Sequence, residues 1–190
     1  MSEPAHRAEL IRILQAAYSG ELAAAFAYRG HWKSVTDPLE RQAISNIEND
    51  EWIHRERIRY MLEHLGSRTV MVKEARMWLI GRTVGLLCHV TGWFLPMYFA
   101  GRLEGRNVEE YNVAARHAAA VGLDEFAREL RVMAAVEKEH EEFFAGAIAG
   151  HRLLPLTRLI FRWGPAESQS TPAATIPPDE SYQPSLIESD

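Results

Sequence analysis

The chain has little cysteine and no concentration of basic charge. Its single cysteine, Cys88, rules out an intrachain disulfide and suits a reducing compartment. The first residues lack the basic and then apolar profile of a signal peptide. Residues 165–190 hold five acidic and no basic side chains, which accounts for the whole formal charge of −5. Residues 1–164 are therefore near neutral and lack the basic patch of a nucleic-acid-binding protein, so we expect no nucleic-acid partner. The single cysteine and the first residues favour a cytoplasmic location.

Apolar residues recur at helical spacing through most of the first 150 residues, which predicts an all-α domain over residues 1–150. We expect a first helix over residues 4–34. A second begins sharply at Asp37 and Pro38, which are typical of a helix start, and ends near Leu65, before Gly66. A third long helix ends at Gly122, and a fourth covers residues 124–150.

Two of these helices carry the same short motif, Glu-x-x-His. It occurs as Glu51 with His54 in the second helix and as Glu137 with His140 in the fourth. In both helices the motif interrupts the apolar stripe that faces the core. Because residues three apart lie on one helix face, each Glu and His can reach the same ion.

The first and third helices each place one glutamate in their own core stripe. Glu21 is followed seven residues later by Tyr28, and Glu104 is followed at the same spacing by Tyr111. The two halves of the chain therefore repeat one another as two helix hairpins. We expect the hairpins to pack into a bundle with approximate two-fold symmetry.

Four core carboxylates and two core imidazoles on four helices predict a metal site. Burying unpaired carboxylates would cost several kcal/mol each, and a dinuclear cation offsets that cost. This is the ligand set of a ferritin-like four-helix bundle that binds two iron or two manganese ions. The predicted metal ligands are Glu21, Glu51, His54, Glu104, Glu137 and His140.

Three further residues are candidates for a role beside the metals. Tyr28 and Tyr111 are either core aromatics or groups that hydrogen-bond the ligands. Glu110 shares a helix face with Leu103 and could support the site from behind the ligands. The remaining histidines of the bundle are expected at helix surfaces or helix ends: His31, His64 and His117.

Residues 83–101 contain no Lys, Arg, Asp or Glu, although glycines and Pro96 interrupt them. They predict a bent or two-piece apolar segment before the third bundle helix. Three interpretations remain open: a transmembrane helix, a buried core helix, or a segment lodged in one leaflet. We favour the last, with a membrane-facing region over about residues 78–101 and a lipid channel lined by Leu86, Leu87, Phe94 and Met97.

The chain ends in two segments of different character. Residues 151–164 combine arginines with leucines and aromatics, which predicts a short basic amphipathic helix. Residues 165–190 are rich in proline, serine, threonine and acid, which predicts a disordered acidic tail.

Over residues 8–150 the chain resembles the demethoxyubiquinone hydroxylases of ubiquinone biosynthesis. The matching features are Gly20-Glu21 with Tyr28, both Glu-x-x-His motifs, Glu104 with Tyr111-Asn112, and the glycines Gly85 and Gly92. Two positions depart from the family. Residues 17–19 stand where it has an Asp-His pair, and Glu109-Glu110 stand where it has histidines before the tyrosine.

The resemblance implies a di-iron monooxygenase that hydroxylates a lipid-soluble quinol. It also implies O2 as co-substrate, an NADH-derived reductant, a quinone-like lipid partner and a location at the cytoplasmic face of the membrane. Manganese fits the same ligands, and the sequence is compatible with a homo-oligomer. The alternatives are a ferritin-like or rubrerythrin-like protein that oxidises iron or scavenges peroxide, and a non-catalytic bundle that keeps a structural metal.

Overall fold

The computed structural model describes residues 2–165, which form six helices joined by short connections. No β-strand occurs within that range, so the prediction of an all-α fold is confirmed. The helices are α1 (Glu3–Ser34), α2 (Pro38–His64), α3 (Met71–Leu87), α4 (Phe94–Ala120), α5 (Asp124–Ala147) and α6 (Leu154–Phe161).

The turn between α1 and α2 shows why the second helix begins where it does. The Asp37 carboxylate accepts hydrogen bonds from the backbone N–H groups of Leu39 and Glu40, and Pro38 occupies the first turn. The first N–H groups of a helix have no partner within it. Asp37 accepts from two of them, and Pro38 has no N–H that would need a partner. At the other end Gly66 adopts a φ of 67°, which favours glycine and ends α2.

Four helices, α1, α2, α4 and α5, pack as a helical bundle around two apolar clusters. One cluster includes Leu10, Leu14, Ile58, Met61, Ala114 and Leu130. The other includes Ala24, Ile44, Ile47, Met97, Tyr98 and Phe144. Along each of the four helices, the predicted ligands fall between the residues of the first cluster and those of the second. The polar site is thus enclosed by apolar packing above and below.

The third helix, α3, lies outside these four helices and packs on α1. Glycines make the close approach possible: a Cβ added to Gly85 would lie 2.8 Å from the carbonyl oxygen of Phe26. The opposite face of α3 exposes large apolar side chains, including Val72, Leu79 and Leu86. No helix within residues 2–165 is both long and apolar enough to cross a bilayer. The apolar stretch 83–101 covers the end of α3, a turn at residues 88–93 and the start of α4.

The basic C-terminal segment contains α6, and its end is fixed to the bundle. The Tyr98 hydroxyl lies within hydrogen-bond distance of two backbone carbonyl oxygens, that of Thr157 at 3.0 Å and that of Trp163 at 2.7 Å. The indole N–H of Trp163 donates to Glu141 Oε1 at 2.8 Å. Apart from Pro165, the tail that we predict to be disordered lies outside the described residues.

Candidate metal centre

All six predicted ligands lie inside the bundle, one or two on each of its four helices. Each is 6% exposed or less, and three of them are fully buried: Glu51, Glu104 and Glu137. Each of the six occupies the apolar stripe of its helix, and that stripe faces the other helices, so the side chains point into the bundle. Six ionisable groups this deeply buried need strong compensation for the water they lose.

The six side chains form two overlapping groups of possible ligands. The first contains Glu21, Glu51, His54 and Glu137, and the second contains Glu51, Glu104, Glu137 and His140. Within each group the ligand atoms lie within 4.8 Å of one another. Glu51 and Glu137 belong to both groups. The two groups could hold two adjacent cations, because each has one imidazole and one carboxylate of its own and both include Glu51 and Glu137.

Several atoms at the centre have no hydrogen-bond partner within residues 2–165. They are Glu21 Oε2, both carboxylate oxygens of Glu51 and of Glu137, and the Nδ1 atoms of His54 and His140. His54 Nδ1 lies 2.9 Å from Glu137 Oε1, but not in hydrogen-bonding geometry. Buried acceptors without donors are costly in a folded protein. Oxygen and nitrogen acceptors that converge on common points fit a pair of divalent iron or manganese ions.

Burial and mutual repulsion raise the pKa of three carboxyl groups, whereas hydrogen-bonding partners lower the pKa of the fourth. Desolvation first, and then the charge of Glu137, raises the pKa of Glu51 and of Glu104 well above the usual carboxyl value. Desolvation also raises the pKa of Glu21. Burial raises the pKa of Glu137 as well, but its interactions with Glu104 and both site histidines outweigh burial and lower it. One central carboxylate that favours its charged form therefore lies among carboxyls that favour their protonated forms.

His140 is oriented by Asp50, which lies outside both Glu-x-x-His motifs. His140 Nε2 lies 3.1 Å from Asp50 Oδ2, while Nδ1 faces Glu51 and Glu137 at 3.9 Å and 3.7 Å. Burial opposes the charge on His140, but Asp50 and Glu137 outweigh it and raise the pKa to about 9. A carboxylate behind a metal-binding histidine sets its ring orientation and basicity. The only signal in the sequence was an acid directly before Glu51.

The two candidate tyrosines lie at the centre and are buried. The Tyr28 hydroxyl donates to Glu104 Oε1, and the Tyr111 hydroxyl donates to Glu21 Oε1. Asn107 donates from Nδ2 to the other oxygen of Glu104 at 3.2 Å, and sequence reasoning had not selected it. Glu21 and Glu104 are thus each held by a protein donor, whereas the carboxylates of Glu51 and Glu137 have no donor within residues 2–165.

Glu110 is placed differently from the two tyrosines. No hydrogen bond or ion pair described for residues 2–165 joins it to a predicted ligand. It is half-buried, and burial raises its pKa although Arg106 opposes the shift. It lines a cavity of about 340 Å³ together with Glu21 and Tyr111. Glu110 therefore faces an approach to the centre, and a catalytic role for it stays a prediction.

A second cavity, of about 420 Å³, lies beside the first between α1, the end of α3 and the start of α4. Its lining is mostly apolar, and Tyr28 connects it to the centre through Glu104. Of the four residues expected to line a lipid channel, only Leu87 does so. Leu86 is exposed, whereas Phe94 and Met97 are buried in the core, because α4 begins with these two side chains turned towards the bundle.

His31 corrects another sequence expectation. It lies in the last turn of α1, but it is only 3% exposed rather than at the surface. Its ring stacks against Phe144 of α5, with 6.0 Å between ring centroids, and it lines the larger cavity. The pattern of α1 could not reveal this, because burial of His31 depends on residues more than 50 positions away.

Comparisons with protein-family models, curated proteins and solved structures found no match to this chain.

Proposed function

We propose that this chain is a ferritin-like di-iron monooxygenase that hydroxylates a lipid-soluble quinol. The observation that carries the proposal is the pair of overlapping ligand groups, with Glu51 and Glu137 common to both. Their unpartnered oxygens are where a bound cation pair would supply the missing charge. The demethoxyubiquinone hydroxylases, which the sequence resembles, use such a pair on such a substrate.

In this proposal Glu21 and His54 would hold one iron, Glu104 and His140 would hold the other, and Glu51 and Glu137 would be available to both. When bound and reduced, a di-iron pair supplies the redox chemistry that inserts one oxygen atom of O2 into a ring C–H bond and releases the other as water. Two electrons and two protons come from outside, and a nicotinamide-derived reductant is the expected source. Manganese is the alternative metal.

The side chains around the centre have distinct tasks in this mechanism. Tyr28 and Tyr111 fix the two terminal carboxylates through their hydroxyls. Asp50 orients the ring of His140. The apolar packing on both sides of the site keeps bulk water out, and the larger cavity holds the substrate ring beside Tyr28. Glu110 is the candidate for proton transfer through the smaller cavity.

The large apolar cavity favours the hydroxylase over the alternative of a ferritin-like or rubrerythrin-like protein. Iron oxidation and peroxide scavenging need access only for small polar species, whereas a cavity of about 420 Å³ with an apolar lining suits an organic ligand. The exposed apolar side chains of α3 support a peripheral position at a membrane, from which a quinone-like lipid could enter.

Metal content tests the centre itself. The purified chain should contain about two iron ions. Glu137→Ala and His140→Ala should lose that iron while circular dichroism shows an unchanged helix content. Glu139→Ala is the matched control, because Glu139 lies within the same motif but is exposed. A wild-type iron content in Glu137→Ala and His140→Ala would refute the ligand assignment.

Lipid extracts from a strain that lacks the gene test the substrate. Demethoxyubiquinone that accumulates in this strain and disappears when the gene is restored would support the proposed hydroxylase activity. An unchanged quinone pool would contradict it. Uptake of many more than two ferrous ions per chain, with their oxidation, would favour iron oxidation instead.

Liposome flotation tests the membrane contact. Leu79→Glu combined with Leu86→Glu on α3 should move the protein from the floating fraction to the soluble fraction. Leu39→Glu on α2 is the matched control, because Leu39 is also a highly exposed leucine but lies on another helix. A wild-type chain found only in the soluble fraction would contradict the proposed membrane surface.

A further inference from the structure

His31 is a buried polar side chain without a task in the centre described above. It is 3% exposed, and its Nε2 atom has no hydrogen-bond partner within residues 2–165. Leaving a buried nitrogen without a partner costs about 1–3 kcal/mol. An apolar residue of similar size would avoid that cost, so we expect the buried imidazole to have a function.

The cavity beside His31 has room for a ligand that could bind the imidazole. Its volume of about 420 Å³ lies in the range of small-molecule sites. Tyr28 lines this cavity next to His31, and the imidazole stacks between Tyr28 and the core residue Phe144 at interplanar angles of 23° and 12°. Leucines and Phe99 form much of the remaining wall. Such a lining takes a flat apolar ring and offers few polar contacts to orient it.

The other polar side chains of this cavity are already engaged or exposed. The Tyr28 hydroxyl donates its one proton to Glu104, so it cannot also donate to a ligand. Three more donate to backbone carbonyls within the protein: Cys88, Thr91 and Arg102. Arg106, the last of them, is exposed. Of the polar residues that line this cavity, His31 is the one with a buried side-chain atom that has no hydrogen-bond partner within residues 2–165.

We propose that His31 forms the hydrogen bond that anchors an oxygen substituent of an aromatic ring in this cavity. It thereby selects hydroxylated or carbonyl-bearing rings over plain hydrocarbons. A neutral imidazole can donate to a carbonyl oxygen through one nitrogen or accept from a hydroxyl through the other, depending on its tautomer. This inference rests on the proposed function in one respect, since the anchored ring would be the substrate held beside Tyr28 and Glu104.

Neutrality of the imidazole is consistent with this role. Desolvation by the surrounding aromatic groups lowers the pKa of His31 to about 4. Near pH 7 the ring therefore presents one donor and one acceptor instead of two donors. A quinone carbonyl and a quinol hydroxyl can both be bound without a change of protonation at His31.

Calorimetric binding of two probes to the full chain tests the proposal. The probes are 1-naphthol and naphthalene, which share a ring system and differ by one hydroxyl. The wild-type chain should bind 1-naphthol about fivefold to tenfold more tightly, as expected for one neutral hydrogen bond. His31→Phe should bind both probes equally, with the affinity for naphthalene unchanged. His31→Gln should recover part of the preference, because an amide can also donate and accept.

The matched control is His89→Phe, an exposed histidine that does not line the cavity, and it should keep the full preference. A second measurement uses the unmodified chain: ¹⁵N NMR of histidine side chains should show the His31 ring shift with 1-naphthol but not with naphthalene. A preference that survives in His31→Phe, or a wild-type chain that binds neither probe, would overturn the proposal.

These outcomes are separable from failure of the proposed function. Binding and NMR shifts are read without iron or oxygen, so a chain that holds no iron could still show the His31-dependent preference. Conversely, the wild type and His31→Phe could both hydroxylate quinol with equal substrate affinity. That result would contradict the role of His31 and leave the proposed function standing.

Discussion

Tyr28 on α1 donates its hydroxyl to Glu104 on α4, and Tyr111 on α4 donates to Glu21 on α1. Each tyrosine follows a predicted ligand on its own helix by seven residues, but it bonds the ligand on the other helix. The two contacts are therefore reciprocal, and together they tie α1 to α4 across the centre. This pairing explains why the same Glu-to-Tyr spacing occurs in both halves of the chain.

Removing either hydroxyl should weaken metal binding more than folding. In Tyr28→Phe the carboxylate of Glu104 keeps only Asn107 as a donor, and in Tyr111→Phe the carboxylate of Glu21 loses its hydrogen bond. Loss of a group that orients a ligand typically reduces metal affinity about 10-fold to 100-fold. Competition titrations with a metal chelator would measure the change.

Tyr60→Phe serves as the control for these two variants, because Tyr60 is exposed on α2 and its loss should leave affinity unchanged. If Tyr28→Phe and Tyr111→Phe both bind metal as tightly as the wild type, the two hydroxyls do not position the ligands.

Metal affinity should rise with pH. Burial raises the pKa of Glu51 and Glu104 well above the usual carboxyl value, and Asp50 and Glu137 raise the pKa of His140 to about 9. These shifts favour the protonated forms in the metal-free chain, and a cation must displace the protons that those forms hold. Affinity should therefore weaken as pH falls from 8 to 6, with proton release on binding.

Calorimetry in buffers of different ionisation enthalpy would count the released protons. Asp50→Asn provides a matched comparison. It removes the negative charge that raises the pKa of His140, so fewer protons should be released near neutral pH. An affinity that does not vary between pH 6 and pH 8 would contradict the assignment of these buried groups as ligands.

His31 should make the fold sensitive to acid. Burial lowers its pKa from an ordinary 6.5 to about 4 in the folded chain. Below pH 6.5 the unfolded chain binds a proton that the folded chain does not, so stability falls as pH falls towards 4. The full loss corresponds to about 3 kcal/mol, of which about 2 kcal/mol is reached at pH 5.

Urea unfolding of the metal-free chain at pH 7 and pH 5 would measure this loss. His31→Phe should lose about 2 kcal/mol less than the wild type over that interval, since it has no imidazole to protonate. An equal loss of stability in both chains would show that His31 is not kept neutral by burial.

The helices and the six converging side chains were predictable because both depend on local periodicity. The start of α2 was readable from Asp37 and Pro38, and the Glu-x-x-His spacing places Glu and His on one helix face in any helix. The all-α prediction is confirmed, while the role of the six residues as metal ligands stays a prediction.

What the sequence could not show depends on the rotation of one helix against another. The exchange of tyrosines between α1 and α4 requires the angular register of both helices. The contact of Asp50 with His140 joins residues 90 positions apart. His31 looked exposed because the pattern of α1 alone does not include Phe144 or the α3 side chains that line the same cavity.

A glycine contact between α1 and α3 leads to the last prediction. Gly30 packs directly on the backbone of Gly85, and a Cβ added at Gly30 would overlap that backbone. Backbone atoms cannot move aside as a flexible side chain can, so Gly30→Ala should push α3 away from α1 and cost about 1–3 kcal/mol. Hydrogen exchange should accelerate across residues 71–87, which form α3.

The control for this variant is Gly20→Ala, on the same helix. A Cβ added at Gly20 meets no atom within 4 Å, so the substitution should gain helix propensity and stabilise the chain by about 0.5–1 kcal/mol. The two alanines thus have opposite expected effects in urea unfolding, although both replace a helical glycine in α1. Because propensity alone would stabilise both variants equally, a stabilised Gly30→Ala with unchanged exchange in α3 would show that α3 does not pack on α1 through this contact.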